Sequence, residues 1–136
     1  MQKPIIGRTT KRAPQAFIGK TILLIDTDEK NHLLHQIYLD RATFLSTPSI
    51  LHGIWLVQEL DIDLVLTEIH FHGYTIYDHL YMILKEKMVP IIVQSTQLPH
   101  EHKENCIIRG AEAYFQKPVE WKKYLEFIGR TLAENR

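Results

Sequence analysis

The sequence predicts an α/β protein built on a doubly wound, five-stranded parallel sheet with helices on both faces. Two observations lead to this fold class. Apolar runs of strand length recur at residues 21–26, 63–68 and 89–95, and the first is nearly continuous, as in strands that are buried on both faces. Segments with apolar residues at helical spacing separate these runs, and strands that alternate with helices form parallel sheets through right-handed crossovers.

Length and composition are those of one ordinary globular domain. The 136 residues are enough to bury a full core, and a formal net charge of zero argues against a general affinity for nucleic acid or anionic membranes. The single Cys106 excludes an intramolecular disulfide and fits a reducing compartment. No apolar run approaches the ~18 residues of a membrane span, and no signal-peptide core is present, so we expect a soluble cytoplasmic protein.

Residues 1–19 differ in character from the rest of the chain. Pro, Gly and Thr are interspersed with Lys3, Arg8, Lys11 and Arg12 without an acidic residue, whereas the remainder carries about four net negative charges. We therefore predict a basic flexible N-terminal tail over residues 1–19 and a folded domain over residues 20–136. The tail is interpreted as a solvated extension rather than a nucleic-acid-binding arm, because a few charges without aromatic residues are weak support for such an arm.

The first half of the chain predicts two strand–helix units. A strand over residues 21–26 leads into Thr27 and Asp28, which are turn and N-cap residue types, and then into a first helix over residues 29–41. The apolar stripe of this helix is expected at Leu33, Leu34, Ile37, Tyr38 and Ala42. A second strand over residues 43–47 precedes Pro48 and Ser49, which open a second helix carrying Ile50, Leu51, Ile54, Trp55, Val57 and Leu60.

The second half predicts three more units. The third strand, residues 63–68, ends on a carboxylate and is followed by a loop rich in His and Gly and a third helix over residues 76–87. The fourth strand, residues 89–95, has Pro90 near its start, where no ladder donor is needed, and a polar fourth helix over residues 98–109 stops at Gly110. A fifth strand over residues 112–116 and a closing fifth helix over residues 121–132 complete the pattern. The buried stripes of the third and fifth helices are expected at Leu80, Ile83, Leu84, Tyr124, Leu125, Ile128 and Leu132.

The strand order 2-1-3-4-5, the flavodoxin-like arrangement, is the common solution for five such units. In that order the first and third strands are neighbours where the winding of the sheet reverses, which is where open α/β folds place ligand sites. Asp26 and Glu68 would then meet at one rim of the sheet, with Ser95 and Lys117 at neighbouring strand ends.

Five landmarks in this order resemble the receiver domain of bacterial two-component response regulators, the CheY-like superfamily, over residues 20–130. Three are the strands that end in Asp26, Glu68 and Ser95, and two are the approach to the fifth strand with Tyr114 and the pair Lys117-Pro118. The resemblance implies a phosphoaccepting Asp at position 68, an acidic pair at position 26 that binds Mg²⁺, and a hydroxyl and aromatic switch pair at Ser95 and Tyr114. It also implies a phosphate-facing Lys117 before a cis-Pro118.

Two positions depart from that pattern. Glu68 stands where the phosphoaccepting Asp belongs, and its carboxylate is one methylene nearer to Lys117 and Ser95, so a nucleophile there should be displaced and poor. Thr27 stands where the second acid belongs and leaves Asp26, with Asp28 one residue further along. Mg²⁺ demands near-ideal octahedral geometry, so the loss of this acid argues against cation binding.

The function that these residues predict is that of a pseudo-receiver, a non-enzymatic signal transduction module of a phosphorelay. It would act by binding signalling proteins, either a histidine kinase or a downstream effector, and would form a homodimer through the fourth helix, fifth strand and fifth helix. Two alternatives stay open. One is a functional phosphoacceptor with atypical chemistry at Glu68 or Asp26. The other is a flavodoxin-like small-ligand binder, which the anionic segment Thr27-Asp28-Glu29 disfavours because it would repel phosphate.

Each candidate site residue has a second interpretation. Glu68 mimics the phosphorylated state or only pairs with a buried Lys117. Asp26 and Asp28 hold a cation with Glu68 and the carbonyl of His70, or form a polar rim where Asp28 caps the following helix.

The remaining candidate positions are interpreted as follows. Tyr114 is a switch residue or an amphipathic aromatic at a strand edge. His70 and His72 form a transition-metal site or are exposed loop residues, and the second interpretation is favoured. Trp55 and Trp121 are expected to pack. Residues Tyr124, Phe127 and Ile128 are expected to belong to the core or to a dimer face.

Overall fold

The computed structural model describes residues 12–134. The strands are β1 (Thr21–Ile25), β2 (Thr43–Thr47), β3 (Leu64–Thr67), β4 (His70–Phe71), β5 (Tyr74–Thr75), β6 (Ile91–Ser95) and β7 (Ala113–Gln116). The helices are α1 (Arg12–Phe17), α2 (Glu29–Tyr38), α3 (Ile50–Glu59), α4 (Tyr77–Lys87), α5 (Pro99–Ile108) and α6 (Trp121–Glu134). Helices α2 to α6 correspond to the first to fifth helices that the sequence predicts.

The main sheet has five parallel strands in the order β2-β1-β3-β6-β7, which confirms the predicted doubly wound topology. Ile25 pairs with Thr67 across β1 and β3, so the residues that follow these strands emerge side by side. The segment after β3 holds a short antiparallel hairpin of β4 and β5, which turns at Gly73 with φ of +91°. The sequence predicts only a loop there.

Two apolar layers cover the sheet. Alternate residues along β1 point to opposite faces, as in any strand, with Leu23 and Ile25 on one side and Ile22 and Leu24 on the other. Helices α3, α4 and α5 cover the first face, and α1, α2 and α6 cover the second. The predicted stripes of α4 and α6 are confirmed, since Leu80, Ile83, Tyr124, Leu125, Ile128 and Leu132 are buried in these layers.

The predicted apolar stripe of α2 is wrong for three of its five residues. Leu33, Leu34 and Ile37 are 61%, 44% and 56% exposed, whereas Asn31 and His35 face the sheet. The inward polar side chains are tolerated because they are hydrogen-bonded: His35 Nδ1 lies 2.9 Å from the Asn31 carbonyl and Nε2 lies 2.8 Å from the Tyr124 hydroxyl. Helical spacing identified an apolar stripe but not the face that tertiary contacts would bury.

The two tryptophans differ in their environment. Trp121 stacks on Tyr38, with ring centroids 4.1 Å apart, and so packs as predicted. Trp55 is 52% exposed and its ring stacks on His52 of its own helix, so it packs within α3 and not in the apolar layers of the sheet. The reason is again helical phase, because Ile50, Ile54 and Val57 take the buried side of α3.

The predicted flexible tail is wrong in its second half. Residues 1–11 lie outside the described part of the chain, but Arg12–Phe17 form α1. Phe17 is 2% exposed in the layer that contains α6, and Ala16 packs beside it. The apolar surface that these two residues bury gives the segment a reason to fold onto the domain.

Helix ends follow the predicted local chemistry. Asp28 and Ser49 accept backbone N–H groups at the N-termini of α2 and α3, and Gly110 after α5 has φ of +110°. Within the described residues, no helix has the length and apolar character needed to cross a membrane.

Candidate functional site

The candidate site lies at the carboxyl edge of the sheet, where backbone pairing places its residues. The Asp26 N–H donates to the Thr47 carbonyl at 3.1 Å, and the Glu68 N–H donates to the Ile25 carbonyl at 3.0 Å. The Lys117 N–H donates to the Ser95 carbonyl at 2.7 Å. Each of these bonds continues the strand pairing by one residue, so all four predicted residues that follow or end strands lie together at one rim.

Lys117 joins the two carboxylates of the site. Its ammonium nitrogen lies 3.0 Å from Asp26 Oδ2 and 2.8 Å from Glu68 Oε1. The three side chains are nearly withdrawn from water, with exposed fractions of 11% for Lys117, 1% for Asp26 and 10% for Glu68. Burial acts to lower the pKa of Lys117, but the hydrogen bond that its ammonium donates to Glu68 and the charge of Asp26 outweigh burial and raise that pKa. The Lys117-Pro118 peptide bond is cis, as predicted.

Asp26 is surrounded by donors. Its Oδ1 accepts the Asp28 N–H at 2.8 Å, and its Oδ2 accepts Asn31 Nδ2 at 2.8 Å, Gln94 Nε2 at 3.3 Å and the Lys117 ammonium. Burial acts to raise the pKa of Asp26, but the backbone bond from Asp28 and the charge of Lys117 outweigh it and lower that pKa. The carboxylate therefore stays ionised at neutral pH.

Asp28 contributes to the site through its backbone and not through its carboxylate. The side chain is exposed and caps α2 by accepting the Lys30 N–H at 3.0 Å. This confirms the interpretation of Asp28 as a helix cap.

Glu68 uses both of its oxygens within the protein. Oε1 pairs with Lys117, and Oε2 accepts the Ile69 N–H at 2.6 Å. These two contacts hold the carboxylate facing the lysine, and 8% of the residue is exposed.

Ser95 and Tyr114 lie beside the ion pairs, and both form hydrogen bonds with the backbone of Gln97. Ser95 Oγ accepts the Gln97 N–H at 3.2 Å, and the Tyr114 hydroxyl donates to the Gln97 carbonyl at 2.5 Å. Tyr114 is 8% exposed, so its ring is buried. Burial raises the pKa of its hydroxyl, which keeps it a donor.

The residues present do not fit the octahedral Mg²⁺ site that the resemblance implies. Among the described residues, no group of three or more His, Cys, Asp and Glu side chains is arranged to hold a metal ion. The oxygens of Asp26 and Glu68 already accept protein donors, and Thr27 is exposed and offers no carboxylate. The predicted metal set of Asp26, Glu68 and His70 is therefore not assembled as a cluster of side chains.

The histidines of the hairpin are surface residues. His70 and His72 are both exposed, and the His70 ring lies edge-on to His102 with centroids 5.7 Å apart. His102 Nδ1 is bonded to the Tyr77 hydroxyl at 2.6 Å. Both residues are therefore exposed, as the favoured interpretation expects, but His70 lies in β4 and not in a loop.

Sequence reasoning missed the second layer of the site. Asn31 and Gln94 are buried amides on Asp26, and His32 Nε2–H donates to the Asp26 carbonyl at 2.5 Å. The sequence contained a signal for these residues. Asn31 and His35 lie one helical turn apart, on the same face of α2 as the cap Asp28, and this spacing indicates a polar face directed at the site. Gln94, next to the site residue Ser95 in an otherwise apolar strand, is the second such signal.

Comparison with known proteins identifies the fold. No family model and no curated protein matches the chain. Among solved structures, the chain is similar to a two-component response regulator from Clostridium difficile, with a TM-score of 0.79 and 18% identity over 85% of this chain and 97% of that one. It is also similar to a CheY-like response regulator receiver domain protein from Methanospirillum hungatei, with a TM-score of 0.78 and 21% identity over 85% and 95%.

A beryllofluoride-activated NtrC4 receiver domain dimer matches with a TM-score of 0.79 and 14% identity over 85% of this chain and 98% of that one. The chain therefore has the receiver-domain fold. At these identities the likeness speaks for the fold alone.

Proposed function

We propose that this protein is a receiver-like signal transduction module in which Glu68 replaces the phosphoaccepting Asp as a fixed charge. The observation that carries the proposal is the ion pair between Glu68 Oε1 and Lys117 Nζ at 2.8 Å, in a site that also pairs Lys117 with Asp26. The module would act by binding other signalling proteins, a histidine kinase or a downstream effector, and not by catalytic turnover.

The geometry supports this proposal because the lysine is already engaged. In a phosphorylated receiver the ammonium would face the phosphoryl group, and here the Glu68 carboxylate supplies negative charge at that place. An incoming phosphoryl group would therefore have to displace a buried, hydrogen-bonded ion pair. The second oxygen of Glu68 is held by the Ile69 N–H at 2.6 Å, which leaves the nucleophile no freedom to turn.

The partner surface that we propose is formed by α5, β7 and α6. Strand β7 is the edge of the sheet, and Ile107 and Ile108 on α5 are 40% and 72% exposed. An apolar surface beside a free strand edge suits either a signalling partner or a second copy of this chain.

Incubation with acetyl phosphate and Mg²⁺ followed by intact-mass measurement tests the proposal. The wild-type chain is expected to keep its mass, and beryllofluoride with Mg²⁺ is expected to leave its Trp fluorescence unchanged. A stable Mg²⁺-dependent adduct on Glu68 would overturn the proposal in favour of an atypical phosphoacceptor.

The Glu68→Asp variant is the companion measurement. Shortening the side chain by one methylene withdraws the carboxylate from Lys117 and opens space above it. The variant combined with Thr27→Asp restores both acids of the receiver pattern, so we expect the double variant to gain an acetyl phosphate adduct. Labelling of Glu68→Asp alone would show that Thr27 is the lesser of the two defects.

A further inference from the structure

Three buried polar side chains form a closed triangle behind the ion pairs. Asn31 Nδ2 lies 2.8 Å from Asp26 Oδ2 and 2.8 Å from Gln94 Oε1, and Gln94 Nε2 lies 3.3 Å from the same Asp26 oxygen. Asn31 is 7% exposed, Gln94 0% and Asp26 1%. The triangle joins α2 and β6 to the end of β1.

The orientation of both amides follows from the acceptor that they share. An ionised carboxylate accepts hydrogen bonds and donates none, so the NH₂ group of each amide must face Asp26. One Asn31 hydrogen goes to Asp26 and the other to the oxygen of Gln94, which turns the Gln94 nitrogen towards Asp26. The Asp26 carboxylate thus determines the orientation of the Asn31 amide, and Asn31 and Asp26 together determine that of the Gln94 amide.

The triangle adds two donors to one oxygen of Asp26. A carboxylate has about four lone-pair sites. Asp26 receives the Asp28 N–H on Oδ1, and Asn31, Gln94 and Lys117 on Oδ2. The positive charge between the two carboxylates is the Lys117 ammonium, which contacts both.

We propose that Asn31 and Gln94 are positioning residues that, together with Lys117, make this site complete without a divalent cation. The inference rests on the proposed function and extends it to regulation. The hydrogen-bonded arrangement of the site should not depend on Mg²⁺. The two amides neutralise no charge, but both donate to Asp26 Oδ2, an oxygen that a hard cation would need as a ligand.

The variant Asn31→Asp tests this with an isosteric change. It places a second carboxylate where the amide lies 2.8 Å from Asp26 Oδ2. Two ionised carboxylates at that separation repel each other, and a divalent cation between them relieves the repulsion. Replacement of one NH₂ by one oxygen should therefore convert a cation-independent site into a cation-dependent one.

Thermal unfolding with millimolar MgCl₂, compared with NaCl at equal ionic strength, is the measurement. We expect no saturable Mg²⁺-specific change in Tm for the wild type, and a saturable rise of about 5 °C or more for Asn31→Asp. The matched control is Asn105→Asp, which adds the same charge at an exposed position of α5 and should not respond. Titration calorimetry with MgCl₂ should detect binding to Asn31→Asp alone.

Saturable Mg²⁺ stabilisation of the wild type would overturn the inference, and so would a folded Asn31→Asp that ignores Mg²⁺. If Asn31→Asp does not fold under any condition, Gln94→Glu decides in its place, since it adds a carboxylate to the same oxygen of Asp26 and carries the same expectation. Mass measurement with acetyl phosphate separates the two proposals. Cation binding by the wild type without an adduct overturns only this inference, whereas an adduct overturns the proposed function.

Discussion

At the scale of single residues, Lys117 is the cation that two buried carboxylates share. Asp26 and Glu68 are both ion-paired to it within 3.0 Å, and all three side chains are almost wholly buried. Buried charges are tolerated only when they are paired and hydrogen-bonded, so the cost of removing Lys117 would fall on both carboxylates.

Lys117→Met should therefore lower the free energy of unfolding by roughly 3–5 kcal/mol, because two buried carboxylates lose their counter-charge. Urea denaturation measures this. The control is Lys87→Met, whose ion pair with Asp61 is 3.8 Å long and 36% exposed on the lysine side, and whose effect should stay under ~1 kcal/mol. Equal losses for the two variants would contradict the assignment of Lys117 as a shared counter-ion.

His35 is the second residue whose environment determines its chemistry. Burial lowers the pKa of its imidazole from 6.5 to about 4, against the opposing effects of the Asn31 carbonyl and the Asp26 charge. Because a carbonyl only accepts, Nδ1 carries the hydrogen, and Nε2 accepts from the Tyr124 hydroxyl. His35 is thus neutral in the folded protein at any pH at which the unfolded chain would begin to protonate it.

Stability should consequently fall as the pH drops from 6.5 towards 4. In this window His35 is protonated in the unfolded chain but stays neutral in the folded protein, where its pKa is about 4. The free energy of unfolding falls by about 3 kcal/mol in total over this window. The lowered pKa of Asp26 affects stability in a more acidic range, because the stabilisation by this carboxylate is lost only as the pH falls below 3.8, the ordinary pKa of the group. Denaturation curves across this pH range give the slope.

The matched pair for this prediction is His35→Leu and His100→Leu. Loss of His35 should reduce the pH slope by about one proton, whereas loss of the exposed His100 should leave it unchanged. An unaltered slope in His35→Leu would show that the buried imidazole is not the titrating group.

At the scale of elements, α3 approaches the sheet at Gly53. A Cβ at this position would lie 2.5 Å from Ile25 Cδ1 and 2.9 Å from Ile25 Cγ1. Helix α3 therefore lies closer to β1 than any side chain at position 53 would allow. This close approach brings Ile50, Ile54 and Val57 into the apolar layer. The close approach also supports the end of β1, from which Asp26 projects into the site.

Gly53→Ala should destabilise the protein by about 1–3 kcal/mol, although Ala is the better helix former, because Ile25 must move. Ile25→Val removes the Cδ1 atom that lies nearest, so the double variant should lose less than the sum of the two single variants. A double-mutant cycle from urea denaturation measures the coupling, and strict additivity would contradict the contact.

At the scale of the whole molecule, the described residues of the receiver fold form two layers of helices on a sheet in which β7 is an edge strand. Helix α1 lies on α6, outside the five strand–helix units, and buries Phe17 in the same layer. The folded domain therefore begins before residue 20, the start that the sequence predicts. This larger domain carries the surface of α5, β7 and α6 that we propose for partner binding.

We expect the chain to form a homodimer through this surface, and Ile108→Asp should make it monomeric, because the change places a charge on a residue that is 72% exposed in the single chain. Light scattering after size-exclusion chromatography, over a range of concentrations, reports the mass. Met88→Asp, at a residue that is 81% exposed beyond the end of α4, is the control and should stay dimeric. A wild type that is monomeric at all concentrations would contradict the dimer.

The sequence by itself determined the strand order, the rim at which Asp26, Glu68, Ser95 and Lys117 meet, and the caps at Asp28 and Ser49. Strand-length apolar runs and N-cap residue types act over a few neighbours, so local reasoning captures them.

Only the tertiary structure decided that α2 buries Asn31 and His35 in place of Leu33, Leu34 and Ile37, and that Phe17 joins the core. Such choices depend on hydrogen-bond partners distant in sequence, such as Gln94 and Tyr124, which are 63 and 89 residues away from Asn31 and His35. A buried polar group is stable only where such partners converge, and no local pattern specifies that convergence.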